Sequence, residues 1–448
     1  MSCLARVRLA PSPTGCPHLG NLLIGVYNLL FKLKHGASII LRIEDTDASR
    51  SQNDNVGKIY KAFGAINIIF DESSINVNKF GPYIQTQRRH IHAYYCSWLI
   101  NNKLAFWCKC KWRRVDALKR VNLKLGCASI YDGKCLKSKL SKRADLKLRL
   151  KAPRAGLFYK NKHSLRWSNS EMQTLWTAGG PTFHIANVID DHLMRISHVL
   201  RGRDWVSSLA KQFLLYVYLR FKLPRFYHLP LLICSKGTKL SKRLLNCGVE
   251  ACVSLGILPK AILAYFMCLI VNVETFKLRE VVAKFNINDI NKSCLRINKD
   301  KLLALNKRVL TQVCLKPSLF EYLLGDKVNE AFKLCKKKSV LFTDVYRQML
   351  FVFCFNVPQP PPPHISRCYT ILAVLINNYK RLQVWNKTSL TALHLKLNKR
   401  LGLSLRTLFV LIYLFAFNTR DSISLYDSFV LLGKECLLFR LELALNKL

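Results

Sequence analysis

"RVRLAPSPTGCPHLGNLLIGVYNLLFKLKHGASIILRIEDTD", Arg6 to Asp47, is the stretch on which the fold turns. Ala5 to Ala10 reads as a short strand, and "PSPTGCPHLG" after it is a Pro/Gly loop. From Asn21 the apolar residues Leu22, Val26, Leu29, Leu30 and Leu33 recur at helical spacing. Lys32, Lys34 and His35 fill the last turn, and Gly36 follows as the expected C-cap. "ASIILRI" is a second strand. Strand, loop, helix and strand make a βαβ unit, which predicts a parallel α/β sheet. Ligands of such sheets sit beyond the carboxyl ends of the strands. Both the Pro/Gly loop and "EDTD", Glu44 to Asp47, fall there.

Outward from this unit, the 448 residues exceed one compact core and imply roughly two to four domains. Half the residues are hydrophobic, which excludes wholesale disorder. Lys and Arg total 71 against 26 Asp and Glu, a formal charge of +45. Such a field attracts polyanions, nucleic acid first and anionic membrane surface second. Part of the excess is compositional bias, because it is spread along the chain. The 17 cysteines are scattered, many in apolar runs such as Cys268 in "AYFMCLIV". That predicts buried thiols in a reducing compartment, the cytoplasm, and no disulfide framework. The N-terminus has no apolar signal stretch. "LFVLIYLFAF", Leu408 to Phe417, is about half the roughly twenty residues of a membrane span and predicts a buried helix.

Helical and mixed patterns run from Gln85 to about Lys160. Pro181 to Trp205 combines a strand, polar points and a helix, and "HLPLLIC", His228 to Cys234, reads as one buried strand. "KLSKR" follows at Lys239 to Arg243, and an identical copy stands at Lys139 to Arg143. From about Val249 the chain reads as mainly helical, interrupted by the stiff "PQPPPP" connector at Pro358 to Pro363.

The first loop suits phosphate. A helix start offers free N–H groups and a positive dipole end. His18 can donate to a phosphate whose charge rearranges in a transition state. Gly20 leaves room for a nucleotide ring. Taken alone, the loop is equally a Pro-rich βα turn with an incidental histidine, and "KLSKR" alone is a solvated basic turn.

Together, "RLAPSPTGCPHLGN", "LRIEDTD", "PTFHIANVIDDHLM", "HVLRGRDW", "HLPLL" and the second "KLSKR" resemble the glutamyl-tRNA synthetases of class I. "PHLG" is similar to their "HIGH" signature and Lys239 to Arg243 to their "KMSKS". Six motifs in order, from about residue 6 to 243, carry the resemblance. It implies glutamyl-adenylate formation from glutamate and ATP with Mg2+, then glutamyl transfer to the terminal adenosine of tRNA(Glu). The first step is an in-line displacement, so positioning and charge stabilisation do most of the catalysis. His18, Lys239 and Lys242 are implied as catalytic, with Lys242 neutralising the departing pyrophosphate. Pro11, Thr14, Gly15, His18, Gly20, Asn21, Ser241 and Lys242 are implied for ATP. Arg8, Ser12, Glu44, Phe183, Asn187 and Arg201 are implied for glutamate: guanidinium forks suit its carboxylates, and Glu44 can accept from its ammonium.

The implied architecture is a Rossmann-like α/β catalytic domain in two halves, 1–85 and 181–243, the second carrying the KLSKR loop. An α+β acceptor-stem-binding insertion spans 86–180. A helical stem-contact region, 244–316, and a helical anticodon-binding domain, 317–448, follow. A cytoplasmic monomer of bacterial type, with no membrane partner, is expected.

Several positions depart from the family pattern. Phe183 stands for a usual tyrosine, Arg203 for an acidic residue beside the adenosine, and Gln87 for a glutamate. Cys108, Cys110 and Cys135 resemble the zinc-bearing form of the insertion, but Lys137 replaces its histidine. Either Cys127 is recruited as the fourth ligand, or the three cysteines are remnants of a lost zinc site. A non-discriminating glutamyl or a glutaminyl enzyme, and a catalytically impaired tRNA-binding homologue, remain alternatives.

Overall fold

The computed structural model describes residues 5–46, 54–125, 131–138, 140, 145–152, 155–160, 163–168, 172–233, 248–273, 277–290, 293–312, 326–353, 368–417 and 424–445. The chain divides into two units, Met1–Ala251 with Leu263–Asn298, and Cys252–Ile262 with Lys299–Leu448.

In the first unit the opening stretch folds as its periodicity predicts. Strand β1 (Arg6–Leu9) leads through the Pro/Gly loop into helix α1 (Leu19–His35), and strand β2 (Ser38–Leu41) returns parallel to β1. Leu22, Val26 and Leu30 are buried on one stripe of α1, each worth ~1.5–3 kcal/mol of burial. Gly36 ends the helix in the left-handed conformation, φ 62°, with its N–H on the Lys32 carbonyl.

Helix α2 (Asp54–Ala65) follows, then a tight helical turn at Gln85–Arg88 and helix α3 (Arg89–Asn101). Residues 105–181 hold an antiparallel sheet whose individual strands the helical and mixed residue pattern does not mark out. Strands β3 (Ala105–Cys108), β4 (Lys147–Leu150), β7 (Thr174–Thr177) and β8 (Gly180–Pro181) form it in that order, helix α4 (Trp112–Lys124) lies between β3 and β4, and β5 (Ala155–Lys160) pairs with β6 (His163–Ser168) as a hairpin. Four-residue strands are too short to show a period, which hid them.

The segment 181–205 places its helix first, α5 (Phe183–Leu193), and its strand second, β9 (His198–Gly202). Helix α6 (Leu209–Tyr218) leads to β10 (Arg225–Leu229), which pairs parallel to β9. The Ser197 amide donates to the Arg6 carbonyl (3.0 Å), laying β9 beside β1. "HLPLLIC" is not one strand. Pro230, which lacks an N–H, separates β10 from β11 (Leu232–Ile233), and β11 pairs instead with β12 (Leu295–Arg296). Cys234 and the whole second KLSKR, with Lys239, Ser241 and Lys242, lie outside the described residues, as do Asp47 and most of the first copy.

The second unit is helical among its described residues. Its core is formed by Cys368–Arg381, Lys387–Leu401, Leu405–Phe417, Leu425–Leu432 and Lys434–Leu445. Leu408, Leu411, Ile412 and Phe415 are buried there, as the apolar run predicts. The polyproline connector lies outside the described residues. No single described helix is long and apolar enough to cross a membrane.

Candidate active site

The strand ends β1, β2 and β9 bring their next residues to one cleft of about 650 Å³. Leu9 and Pro11 accept from the amides of Arg42 (2.9 Å) and Glu44 (3.1 Å), so the loop after β1 is stitched to the segment after β2. Asn55 holds the loop from the other side, its Nδ2 donating to the Pro13 carbonyl (3.1 Å). Gly15, at φ 145°, takes a conformation L side chains rarely adopt. His18 caps α1: its Nδ1 accepts from the Asn21 amide at 3.3 Å. A neutral imidazole that accepts on Nδ1 carries its proton on Nε2, the tautomer that can donate.

Gly20 serves differently from the expectation. A Cβ there would stand 2.9 Å from the His18 ring, so the missing side chain makes room for the imidazole, and Gly20 is absent from the cleft wall.

Arg8, Glu44 and Arg201 form the charged floor and are all buried. Asp191, on α5, joins two guanidiniums: its Oδ1 accepts from Arg8 Nε (3.3 Å) and Arg42 Nη1 (2.7 Å). Arg42 also reaches Glu44 (3.5 Å) and Asn187 (2.5 Å). Burial pushes the Glu44 carboxyl up to about 7 against the pull of Arg42 and Arg8. Arg201 donates to Gln212 (2.5 Å), while its buried Nη2 has no hydrogen-bond partner among the described residues. Burial, aided by the nearby Arg8 charge, pulls Arg201 down to about 10. Three guanidiniums face two carboxylates, so the floor favours a ligand with net negative charge.

Of the expected residues, Arg8, Pro11, Ser12, Thr14, Gly15, His18, Asn21, Glu44, Phe183 and Arg201 share this cleft. Asn187 does not line it. It is buried beneath, its Oδ1 on Arg42 and its Nδ2 on the Phe183 carbonyl (3.3 Å), so it braces the site. Arg203 and Gln87 do not line the cleft either, and Gln87 is exposed. Its neighbours Gln85 and Arg88 are buried on Asp190 (2.9 and 2.6 Å), which also meets His92 (2.9 Å). Burial raises the Asp190 carboxyl, but His92, Arg42 and Arg88 together hold it below its usual range. Sequence reasoning missed Asp191, Arg42 and Trp205. Trp205 lines the cleft with its ring stacked on Phe183 at 4.4 Å.

Cys108, Cys110 and Cys135 are buried with their sulphurs within 4.8 Å of one another. Lys137 is exposed, and Cys127 lies outside the described residues. The group that does reach the thiols is the Tyr131 hydroxyl, 3.2 Å from Cys108 Sγ and 3.4 Å from Cys110 Sγ. A second cleft, of about 820 Å³, opens against Tyr131 and runs to Phe183.

A parallel sheet therefore carries a first crossover loop that ends on a helix-capping histidine, beside a buried guanidinium cluster. Residues 5–310 match the family described as tRNA synthetases class I (E and Q), catalytic domain. The glutamate--tRNA ligase of Agrobacterium fabrum is 31% identical over 98% of this chain and 96% of its own, and that of Rhizobium meliloti 30% over the same shares. A solved structure of a glutamate tRNA ligase from Elizabethkingia meningosepticum, in complex with its amino acid, matches in fold with a TM-score of 0.79. It is 23% identical, with 99% of each chain covered. The chain belongs to the glutamyl-tRNA synthetase family.

Proposed function

We propose that the protein attaches glutamate to tRNA, using ATP, through a glutamyl-adenylate. The observation that carries this is the cleft floor: Arg8 and Arg201 for carboxylates and Glu44 for an ammonium, next to the His18-capped start of α1. ATP, taken with Mg2+, lies along the Pro11–His18 loop, where the dipole of α1 and the His18 Nε2–H favour its phosphates. Glutamate lies over Arg8, Ser12, Glu44 and Arg201. Its α-carboxylate attacks the α-phosphorus and pyrophosphate leaves, and the terminal ribose hydroxyl of tRNA then takes the glutamyl group and releases AMP.

Lys239 and Lys242 act on the pyrophosphate. Support comes from where the chain resumes. A Cβ on Gly248 would stand 2.7 Å from the Pro17 carbonyl, and Cys16 contacts Glu250 (3.5 Å), so the residues just after the second KLSKR rest on the His18 loop. Residues 86–180 serve the acceptor stem, 244–316 the stem and 317–448 the anticodon.

The three thiols and the Tyr131 hydroxyl suit a tetrahedral zinc ion, whose edges of about 3.3–3.8 Å follow from bonds of ~2.0–2.3 Å. When bound, zinc supplies rigidity to the insertion and no chemistry. Tyr131 replaces Cys127 as the fourth ligand.

The test is aminoacylation with glutamate and tRNA(Glu) at low salt, with tRNA(Gln) as a second substrate. Charging of tRNA(Glu) is expected, with Lys242→Ala lowering kcat at least 100-fold and Lys142→Ala leaving adenylate formation intact. No charging of any cognate tRNA, or equal losses in the two variants, sinks the reading.

A further inference from the structure

We infer that the buried cluster of Gln85, Arg88 and His92 on Asp190 positions the amino-acid half of the first cleft. This rests on the proposed glutamate site and names residues that hold it in shape without touching the substrate. Asp190 and Asp191 are neighbours on α5, and consecutive side chains of a helix point about 100° apart. Asp191 turns to Arg8 and Arg42. Asp190 meets α3 and the turn before it instead. Its Oδ1 accepts from Arg88 Nε (2.6 Å) and lies 2.9 Å from His92 Nε2, and its Oδ2 accepts from Gln85 Nε2 (2.9 Å). An ionised carboxylate can only accept, so the His92 nitrogen donates. All four residues are at most 1% exposed, and none is in the cleft wall.

The short turn that carries Gln85 and Arg88 also grips the chain on either side of Glu44. The Gln85 amide donates to the Ile43 carbonyl (3.0 Å), and the Ile43 amide to the Tyr83 carbonyl (2.9 Å). Thr86 donates to Asp45 through its amide (2.9 Å) and its hydroxyl (2.6 Å). Arg88 Nη1 adds the Pro82 carbonyl (3.0 Å). One run of hydrogen bonds thus leads from the neighbours of Glu44, through this turn and α3, to the helix that carries Phe183, Asn187 and Asp191. Apolar packing would stabilise that seam equally well, since hydrophobic residues of similar volume often match a buried ion pair. What a guanidinium bonded at fixed angles adds is direction. It sets how far α5 is rolled about its axis, and that roll places Asp191 between Arg8 and Arg42. A misplacement of ~1 Å at a reacting site can cost on the order of 100-fold in rate. The Pro11–His18 loop has anchors of its own, Asn55 on the Pro13 carbonyl and the start of α1. Loosening the cluster should therefore disturb glutamate and spare ATP.

Gln85→Met keeps the size of the side chain and removes one donor. It breaks no other bond of that side chain, because Gln85 Oε1 has no hydrogen-bond partner among the described residues. His92→Leu removes a second donor, and His92→Gln returns one through its amide nitrogen. Calorimetric titration of L-glutamate into the full chain, with aminoacylation kinetics beside it, reads the effect. Kd and KM for glutamate are expected to rise about 5–10-fold in Gln85→Met and about tenfold in His92→Leu. His92→Gln should stay within about threefold of wild type, and KM for ATP within about twofold in every variant. A cluster that only held the fold together would act differently: a smaller folded fraction lowers the apparent kcat and leaves KM where it was. Glutamate constants of Gln85→Met equal to wild type overturn the inference. So does a joint rise for glutamate and ATP, or a fall in Tm and kcat with KM unmoved. If His92→Leu fails to fold, Gln85→Met decides alone. A wild type that binds no glutamate in the titration defeats the proposed function and this inference together, whereas binding by wild type with both variants unchanged defeats the inference only.

Discussion

At Glu44 burial and two guanidiniums pull in opposite directions, and burial wins, leaving the carboxyl at about 7. Protonated, it cannot offer a full charge to an ammonium. Glutamate binding should therefore weaken as pH falls through that value. KM for glutamate is expected to rise about tenfold from pH 8 to pH 6, and Glu44→Gln to show a high, flat profile. Stability runs the same carboxyl the other way. The folded value lies above the usual 4.5, so the folded state keeps a proton that the unfolded chain has released. The group's stabilising contribution is then full below about 4.5 and is lost as pH rises toward 7. Urea unfolding of wild type and Glu44→Gln across this window checks the sign: the gap between them should shift in favour of the variant with rising pH. Residues such as Arg8, Glu44 and Arg201 were legible because each sits in a quoted motif. Asp191 also sits in one, "PTFHIANVIDDHLM", yet was not picked out, since its role depends on Arg42, 149 positions away, and no local pattern encodes that pairing.

At the scale of the element, α1 was readable almost residue by residue, because seventeen residues give the apolar stripe several turns to repeat. The strands of 105–181 had only two to six residues each, too few to declare a period against the surrounding Lys and Arg. Pro230 was visible in "HLPLLIC", yet the buried apolar run outweighed it in the reading, although proline cannot donate within a sheet. The start of α1 offers a test of how the helix positions its capping histidine. Gly20→Ala adds helix propensity, up to ~1 kcal/mol, but its Cβ meets the His18 ring at 2.9 Å and must displace it. We expect Tm unchanged or slightly raised and kcat for adenylate formation down about tenfold. A fall in Tm with normal kcat would show that the ring moves without consequence. In the insertion, metal analysis of the purified chain should give close to one zinc. Tyr131→Phe should lose it to a chelator about 10–100 times more readily, and Cys127→Ser should not. Protein purified with well below one zinc would mean that the thiol cluster stands without metal.

For the whole molecule, the formal charge of +45 was the first indication of a polyanionic partner, and the family membership gives that partner as tRNA. Charge alone could not separate function from composition, because basic residues are scattered through both units and only a few line a cleft. The division into two units was likewise invisible as a boundary: the helix Pro259–Val271 carries residues of both, with no Gly or Pro break inside it. Salt dependence separates the specific from the diffuse contribution. Contacts from lysine and arginine to phosphate release counterions, so affinity falls as a power of salt concentration set by the number of contacts. The cleft floor proposed for glutamate should behave otherwise, since Arg8, Glu44 and Arg201 are buried and poorly screened. KM for tRNA should therefore rise about 10–100-fold between 50 and 200 mM salt, with KM for glutamate changing less than about twofold. If both constants rise together, the guanidinium cluster is open to bulk ions and the buried floor is not what selects glutamate. If neither rises, the excess charge has no part in holding tRNA and reflects composition alone.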